Sequence, residues 1–308
     1  MPTTAFAQKV IKIAVSPAKA SPFGVAIDGF CKSLEEKAGQ RYKCQTFYSG
    51  ALGGDREILE GLQLGTIEMT FTSTGATTNF VPEIRIFDIP YLFRDYSHAR
   101  AVLDGPIGRS YLEKFRTRGL VGLAWGDNGF RHLTNSKRPV ASPQDAKGLK
   151  IRTQENPLHI QAFRAFGLNP TPMAFPELYG ALQQGTVDGQ ENPISLILTS
   201  KFYQVQKHLS LTGHAYAPGI LVAGQKFFDA LPAADKALFM EAAKAGIAAN
   251  RAQVDLDEKN GIAYLKEQGV AVVEKVDRAA FEAALKPAYA TFEAQFGRDN
   301  IQKIKDVH

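Results

Sequence analysis

Three side chains equipped for chemistry stand at the ends of successive short elements between Gly148 and Pro193. Arg152 closes the stretch GLKIR, Phe175 lies inside the proline-flanked PTPMAFPELY, and Asn192 ends VDGQEN just before Pro193. A guanidinium offers a planar fork of donors that matches both oxygens of a carboxylate, a carboxamide adds a further donor, and a phenyl ring adds an apolar wall. None of the three is a nucleophile or a good proton shuttle, so the chemistry they point to is non-covalent capture of an organic anion. Catalytic signatures are absent: there is no HExxH, GxSxG, Walker loop or GxGxxG in a strand-to-helix context, and the 6 histidines show no paired ligand spacing. Glu155, Glu177 and Glu191 invite comparison with a glycosidase acid/base pair. Each has a plainer role: Glu155 precedes a helix cap, Glu177 falls in a helix first turn where its charge suits the dipole, and Glu191 follows a strand. Neither an enzyme nor a metal or cofactor site is expected.

Composition agrees with that reading. The chain has 308 residues, 44% hydrophobic and 22% charged, enough for two domains with their own cores and too balanced for disorder. Its 36 basic and 31 acidic residues leave a net charge of +5, spread without basic runs or aromatic-basic motifs. Such a balance favours anionic solutes in a general way and gives no footprint for nucleic acid.

The elements that must position these side chains alternate as α and β. Val10–Val15 reads as a strand, Ser21-Pro22 opens a helix to Lys37, Tyr42–Tyr48 is the next strand, and Asp55 caps a helix that ends near Gly65. Ile67–Phe71 is a further strand leading into the polar loop Thr72-Ser73-Thr74-Gly75, and loops after strands are where ligands bind in open α/β sheets. Leu120–Trp125 and Arg131–Thr134 read as two strands separated by a turn at 126–129, a candidate hinge. Asn156-Pro157 and Pro176 start helices that stop at Gly167 and Gly185, with short strands around Ile151, Asn169 and Val187. From Pro232 to Gln268 runs a helix long enough to cross between domains.

The segment 148–193 resembles the signature region of the solute-binding proteins of tripartite ATP-independent periplasmic (TRAP) transporters, the DctP-like family. Weaker echoes recur in order along nearly the whole chain, in ALGGDREILEGLQLGTIEM, FDIPYLF and KFYQVQKHLSLTGH. The resemblance implies a two-lobed α/β fold with a ligand cleft between the lobes and a long connecting helix. Lobe I is expected over 8–128 plus 218–256 and lobe II over 129–217 plus 257–308, with crossings near Asn128, Pro218 and Leu256. It further implies that Arg152 grips the ligand carboxylate, that Arg131 supports it, that Asn192 contacts the same group and that Phe175 lies against the ligand. Relatives that bind sialic acid carry an acidic residue at the position of Ser73 and an amide at that of Ser16, a departure that argues against that ligand. The implied partners are a small organic acid and the small and large membrane subunits of an ion-driven permease; ATP has no part.

Other candidate contacts sit at predicted strand ends and loops: Ser16, Asp55, Ser73, Trp125 and Asn128, with Tyr216 and His214 near a crossing. Each is as suited to capping or turning the chain as to meeting a ligand. Ala5-Phe6-Ala7 has the small-x-small form of an export cleavage site, so residues 1–7 read as a signal remnant or expression scar and the compartment as the periplasm. No run approaches the roughly eighteen apolar residues that cross a bilayer, and a soluble monomer is expected. Cys31 on the first helix and Cys44 on the following strand fit an oxidising compartment, and a bridge between them is feasible, the alternative being two buried thiols. The cargo reads as a hydroxylated monocarboxylate such as a uronate or other sugar acid, with a C4-dicarboxylate as the nearest rival. A binding protein for an ATP-driven importer or sensor kinase, and a secreted α/β hydrolase, are the other classes.

Overall fold

The computed structural model describes residues 8–308, so the motif at Ala5-Phe6-Ala7 lies outside the described residues. The first half contains β1 (Lys9–Ala14), α1 (Pro22–Ala38), β2 (Tyr42–Phe47), α2 (Asp55–Leu64), β3 (Met69–Ser73) and α3 (Thr74–Thr77). It continues through α4 (Tyr96–Asp104), α5 (Pro106–Leu112) and β4 (Leu120–Asn135). There follow α6 (Pro143–Ala146), β5 (Lys150–Thr153), α7 (Pro157–Ala165), β6 (Asn169–Pro172), α8 (Leu178–Gln183), β7 (Gly189–Asn192) and α9 (Ile194–Thr199). Last come β8 (His208–Gly224), α10 (Gln225–Asp229), α11 (Ala233–Glu267), β9 (Ala271–Val273), α12 (Arg278–Phe296) and α13 (Arg298–Lys305).

Local chemistry explains most boundaries. The Ser21 hydroxyl accepts from Gly24 N at 3.2 Å with Pro22 at the first helical position, and the Asn156 side chain accepts from Leu158 N ahead of Pro157. Gly65 takes φ 85° to end α2, and the N–H groups of Thr66 and Ile67 turn back onto Gly61 O, which delays β3 until Met69 rather than Ile67. The strand expected around Val187 likewise begins later, at Gly189. β6 contains Pro170 and Pro172, which a strand tolerates because it forms the edge of the sheet.

The strands form one sheet in the order β2-β1-β3-β8-β4-β7-β5-β6, with β9 on β8. The outer strands pair in parallel on each side, β1 with β2 and β3, and β5 with β6 and β7. At the centre β4 and β8, of 16 and 17 residues, run antiparallel and each spans roughly 50 Å. These two strands hold the two lobes together. The turn expected at 126–129 does not form: β4 is continuous, and its pairing with β8 slips between Asp127 and Gly129 as a bulge. Asp127 is held there by Arg100 Nε at 2.9 Å and Tyr216 Oη at 2.6 Å, which braces the crossing.

Helix α11, 35 residues long, packs on both halves. A Cβ on Gly246 would come within 2.6 Å of Ala26 O on α1, and one on Gly261 within 2.5 Å of Ile194 on α9, so glycine allows close approach at each contact. The C-terminal helices also straddle the molecule. Phe281 and Leu285 join the core of Phe163 and Phe166, whereas Phe292, Ile301 and Ile304 join that of Phe87 and Phe93. Cys31 and Cys44 are bonded, with Cα atoms 5.8 Å apart, tying α1 to β2.

Candidate functional site

A cleft of about 640 Å³ opens beside the ends of β5 and β6. Arg152, the third residue of β5, is 2% exposed, and its Nε donates to Met173 O at 2.9 Å. Its guanidinium carbon stands 5.9 Å from the centroid of the Phe175 ring, the other expected contact that lines the same wall. Among the described residues the two terminal nitrogens of Arg152 make no hydrogen bond, and no carboxylate lies in ion-pair range. Burial lowers its pKa to about 10, with nearby Arg131 acting in the same direction and Glu191 and Asp55 opposing, so the group remains cationic at neutral pH. A buried, half-anchored and unpaired guanidinium facing a cavity is costly unless an anion meets it.

Arg131 behaves differently. It is fully buried and ion-paired with Glu191 through Nε, while its Nη2 donates to Glu191 Oε1 at 2.7 Å, to Glu191 O at 2.6 Å and to Asn192 Oδ1 at 3.2 Å. Among the described residues Nη1 finds no partner. Glu191, read from sequence as a residue following a strand, sits inside β7, 0% exposed. Burial pushes its pKa up, but the Arg131 charge and the hydrogen bond from His214 Nε2, at 3.1 Å, outweigh this and hold it well below the usual carboxylate range. His214 is therefore committed to Glu191 and, at 2.8 Å, to Thr212. The Asn192 amide donates one N–H to Gln190 Oε1, and Asn192 does not line the cleft.

The opposite wall is built from α2 and α3. Asp55 lines it, half-buried, and accepts from Thr72 Oγ1 at 2.9 Å. It is the first residue of α2; the cap is Gly54, whose N–H reaches Glu57 Oε2 at 2.9 Å, so the capping role read for Asp55 is corrected and its carboxylate is left for the cleft. Burial raises the Asp55 pKa, opposed by the Ser16 and Thr72 hydroxyls and the Arg152 charge. Ser16 itself is 3% exposed and does not line the cleft.

Three expected contacts are corrected to other roles. Trp125 packs edge-on against Phe87 and donates to Gly108 O at 2.9 Å, deep in the core. Tyr216 is 2% exposed and spends its hydroxyl on Asp127. Asn128 is 1% exposed within β4 and does not line the cleft. Strand-end position, the signal that favoured all three, says nothing about which side of a continuous sheet a side chain takes.

Two residues that sequence reasoning passed over do line the cleft. Gln154 follows Arg152 by two positions and donates from Nε2 to Ser73 Oγ at 3.0 Å; Asn79 Nδ2 donates to Glu155 O at 2.8 Å. The alternation of a strand, which sets residues two apart on one face, was available to find the first. Ser73 thus meets Gln154 from the other lobe. Acidic groups dominate the remaining lining, with Glu57, Glu60, Glu155 and Glu177 around the rim, and Arg56 engaged by Glu60 at 3.0 Å. Among the described residues no cluster of metal-ligating side chains occurs, and no helix is long and apolar enough to cross a membrane.

The profile of the family described as "Bacterial extracellular solute-binding protein, family 7", DctP, matches residues 13–295. The chain belongs to this DctP family of TRAP solute-binding proteins. It is 55% identical over 304 residues to a solute-binding protein of Verminephrobacter eiseniae, covering 99% of this chain and 91% of that one. Among solved structures it is similar to a TRAP periplasmic solute-binding protein from Polaromonas sp. JS666 bound to D-erythronate, with TM-score 0.96, 55% identity, and coverage of 97% and 99% of the two chains. A second, from Bordetella bronchispeptica with density assigned to pantoate, gives TM-score 0.96, 53% identity and coverage of 98% and 100%. DctP proteins are two-lobed solute-binding components of transport systems; they bind small acids and work with membrane permease components, and the family is not one of enzymes.

Proposed function

We propose that this protein is the periplasmic receptor for a hydroxylated monocarboxylate, a short or medium sugar acid, which it delivers to the small and large membrane subunits of a TRAP permease. The observation that carries this is the Arg152 guanidinium, charged, buried and anchored by Nε alone, with its terminal nitrogens turned to the cleft. The ligand carboxylate takes those two nitrogens, Phe175 backs the guanidinium, and Asp55 across the cleft accepts the ligand's hydroxyl groups. Asn192 and Arg131 act from behind, holding the strand ends that present Arg152. Binding is the whole chemical act: micromolar affinity is roughly −8 kcal/mol, and charge-assisted hydrogen bonds of about 1.5 to 3 kcal/mol each are of the right order before closure costs.

A C4-dicarboxylate is disfavoured by the same lining. Its second carboxylate would face Asp55 and the glutamates of the rim, with Arg56 already paired to Glu60. The erythronate and pantoate named for the two similar structures are monocarboxylates with hydroxyl groups, which supports the choice. Lobe I is taken as 8–128 plus 218–256 and lobe II as 129–217 plus 257–308, amended so that the end of α12 and all of α13 ride on lobe I, where Phe292, Ile301 and Ile304 are buried. The protein works as a monomer.

A thermal shift screen over organic acids tests the reading, because a ligand that binds only the folded state raises its melting temperature. Hydroxylated monocarboxylates such as D-erythronate should raise it by several degrees while succinate and neutral polyols leave it unchanged. A shift with succinate alone, or with uncharged sugars, would overturn it.

A further inference from the structure

The cleft has a second link across it besides any ligand. Gln154 lines the cavity two residues after Arg152, and its amide crosses to the other lobe, where Nε2 donates to Ser73 Oγ at 3.0 Å. Its Oε1 occupies the space that a side chain at position 75 would fill: a Cβ built on Gly75 would lie 2.0 Å from Oε1 and 2.6 Å from Cδ. Gly75 is in α3 and does not have positive φ, so its backbone does not require glycine. Glycine there leaves room for the arriving amide, and a methyl would displace this flexible side-chain end from its seat. The next residue adds a second crossing, Asn79 Nδ2 to Glu155 O at 2.8 Å.

We propose that Gln154 is a closure latch and Gly75 its socket: a positioning residue that converts carboxylate capture at Arg152 into docking of β5 on α3. Arg152 lies on β5 and Gln154 just past its end, one directed toward the ligand and one toward the opposite lobe, so seating the first sets the second. Gln154 does not select the acid; it sets how long the closed lobes hold it. This rests on the ligand reading above for its probe, though the latch concerns the protein alone.

The test is a double-mutant cycle read with labelled D-erythronate, measuring affinity by calorimetry and release by chase. Gly75→Ala should weaken binding about tenfold or more, through faster release at an unchanged association rate, because the alanine methyl blocks the socket. Gln154→Ala should weaken it by about three- to tenfold, the loss of one hydrogen bond and its packing. Combining them should cost no more than Gln154→Ala alone, since the methyl then meets nothing. The melting temperatures of the unliganded single variants should match wild type, which separates a latch from a folding defect. Wild-type affinity in Gly75→Ala, or full additivity of the two losses, would overturn the latch. If wild type binds succinate and not D-erythronate, the ligand assignment fails, and the same cycle run with succinate still decides the latch.

Discussion

At the scale of single residues, the proposed function rests on two side chains of opposite charge facing one another across the cleft. Among the described residues Arg152 has no ion-pair partner, and Asp55 keeps its carboxylate half-buried beside Ser16 and Thr72. Asp55→Asn removes the repulsion that excludes a second carboxylate, so succinate binding should rise by about tenfold relative to D-erythronate in calorimetric titrations. A ratio unmoved by the substitution would take Asp55 out of ligand reading. The same carboxyl carries a pH signature. Its folded-state pKa is raised, so the folded state is favoured below the unfolded carboxyl value, about 3.9, and loses that contribution as pH rises through the folded value. Unliganded Asp55→Asn should therefore melt higher than wild type near neutral pH, and the two should converge in acid; the opposite order would contradict the assigned environment. Residue type and position at element ends singled out Arg152, Phe175 and Asp55, and all three line the cleft. Trp125, Tyr216 and Asn128 satisfied the same positional rule but turned inward, since side-chain direction on a continuous strand depends on register that a single sequence does not specify.

At the scale of elements, the strands that present Arg152 are fixed by a buried ionic cluster and by local caps. Glu191 bonds both Arg131 and His214 with all three side chains out of solvent. Breaking a buried pair from one side leaves an uncompensated charge, so Glu191→Gln should destabilise the fold by about 3 to 5 kcal/mol in urea titrations at neutral pH. Because the Glu191 pKa is depressed, this contribution is present above its unfolded value and fades as pH falls toward the folded one; a variant as stable as wild type at pH 7 would refute the cluster's role. The cystine adds a separate anchor. It closes a loop of sequence separation 13, and replacing both cysteines by serine should cost about 3 kcal/mol in the same titration without altering ligand affinity. A change in affinity instead would mean that the α1–β2 pair communicates with the cleft. Helix starts and stops were readable from Ser21-Pro22, Asn156-Pro157 and Gly65 because caps act locally. The Arg131–Glu191–His214 cluster was not, because Glu191 lies 60 residues after Arg131 and 23 before His214, and the three meet only through strand pairing.

At the scale of the whole molecule, two long antiparallel strands and a helix of 35 residues cross between lobes, so the lobes can move only as bodies hinged on these spans. The sequence foretold the long helix, since its pattern runs unbroken from Pro232 to Gly269. It gave a turn where the structure has a bulged continuous strand, because Gly126-Asp127-Asn128-Gly129 has turn composition while the pairing partner Ala217-Pro218-Gly219 lies about ninety residues on. Gln154 meets Ser73, and Arg152 and Asp55 line one cavity, so the proposed function turns on the acceptance of an anion by Arg152. Titration calorimetry of D-erythronate into wild type and Arg152→Lys tests that claim most directly. The account predicts micromolar binding to wild type and a loss of about a hundredfold or more in the lysine variant, whose ammonium cannot hold Met173 O and both carboxylate oxygens at once. Binding by Arg152→Lys within about threefold of wild type would contradict it.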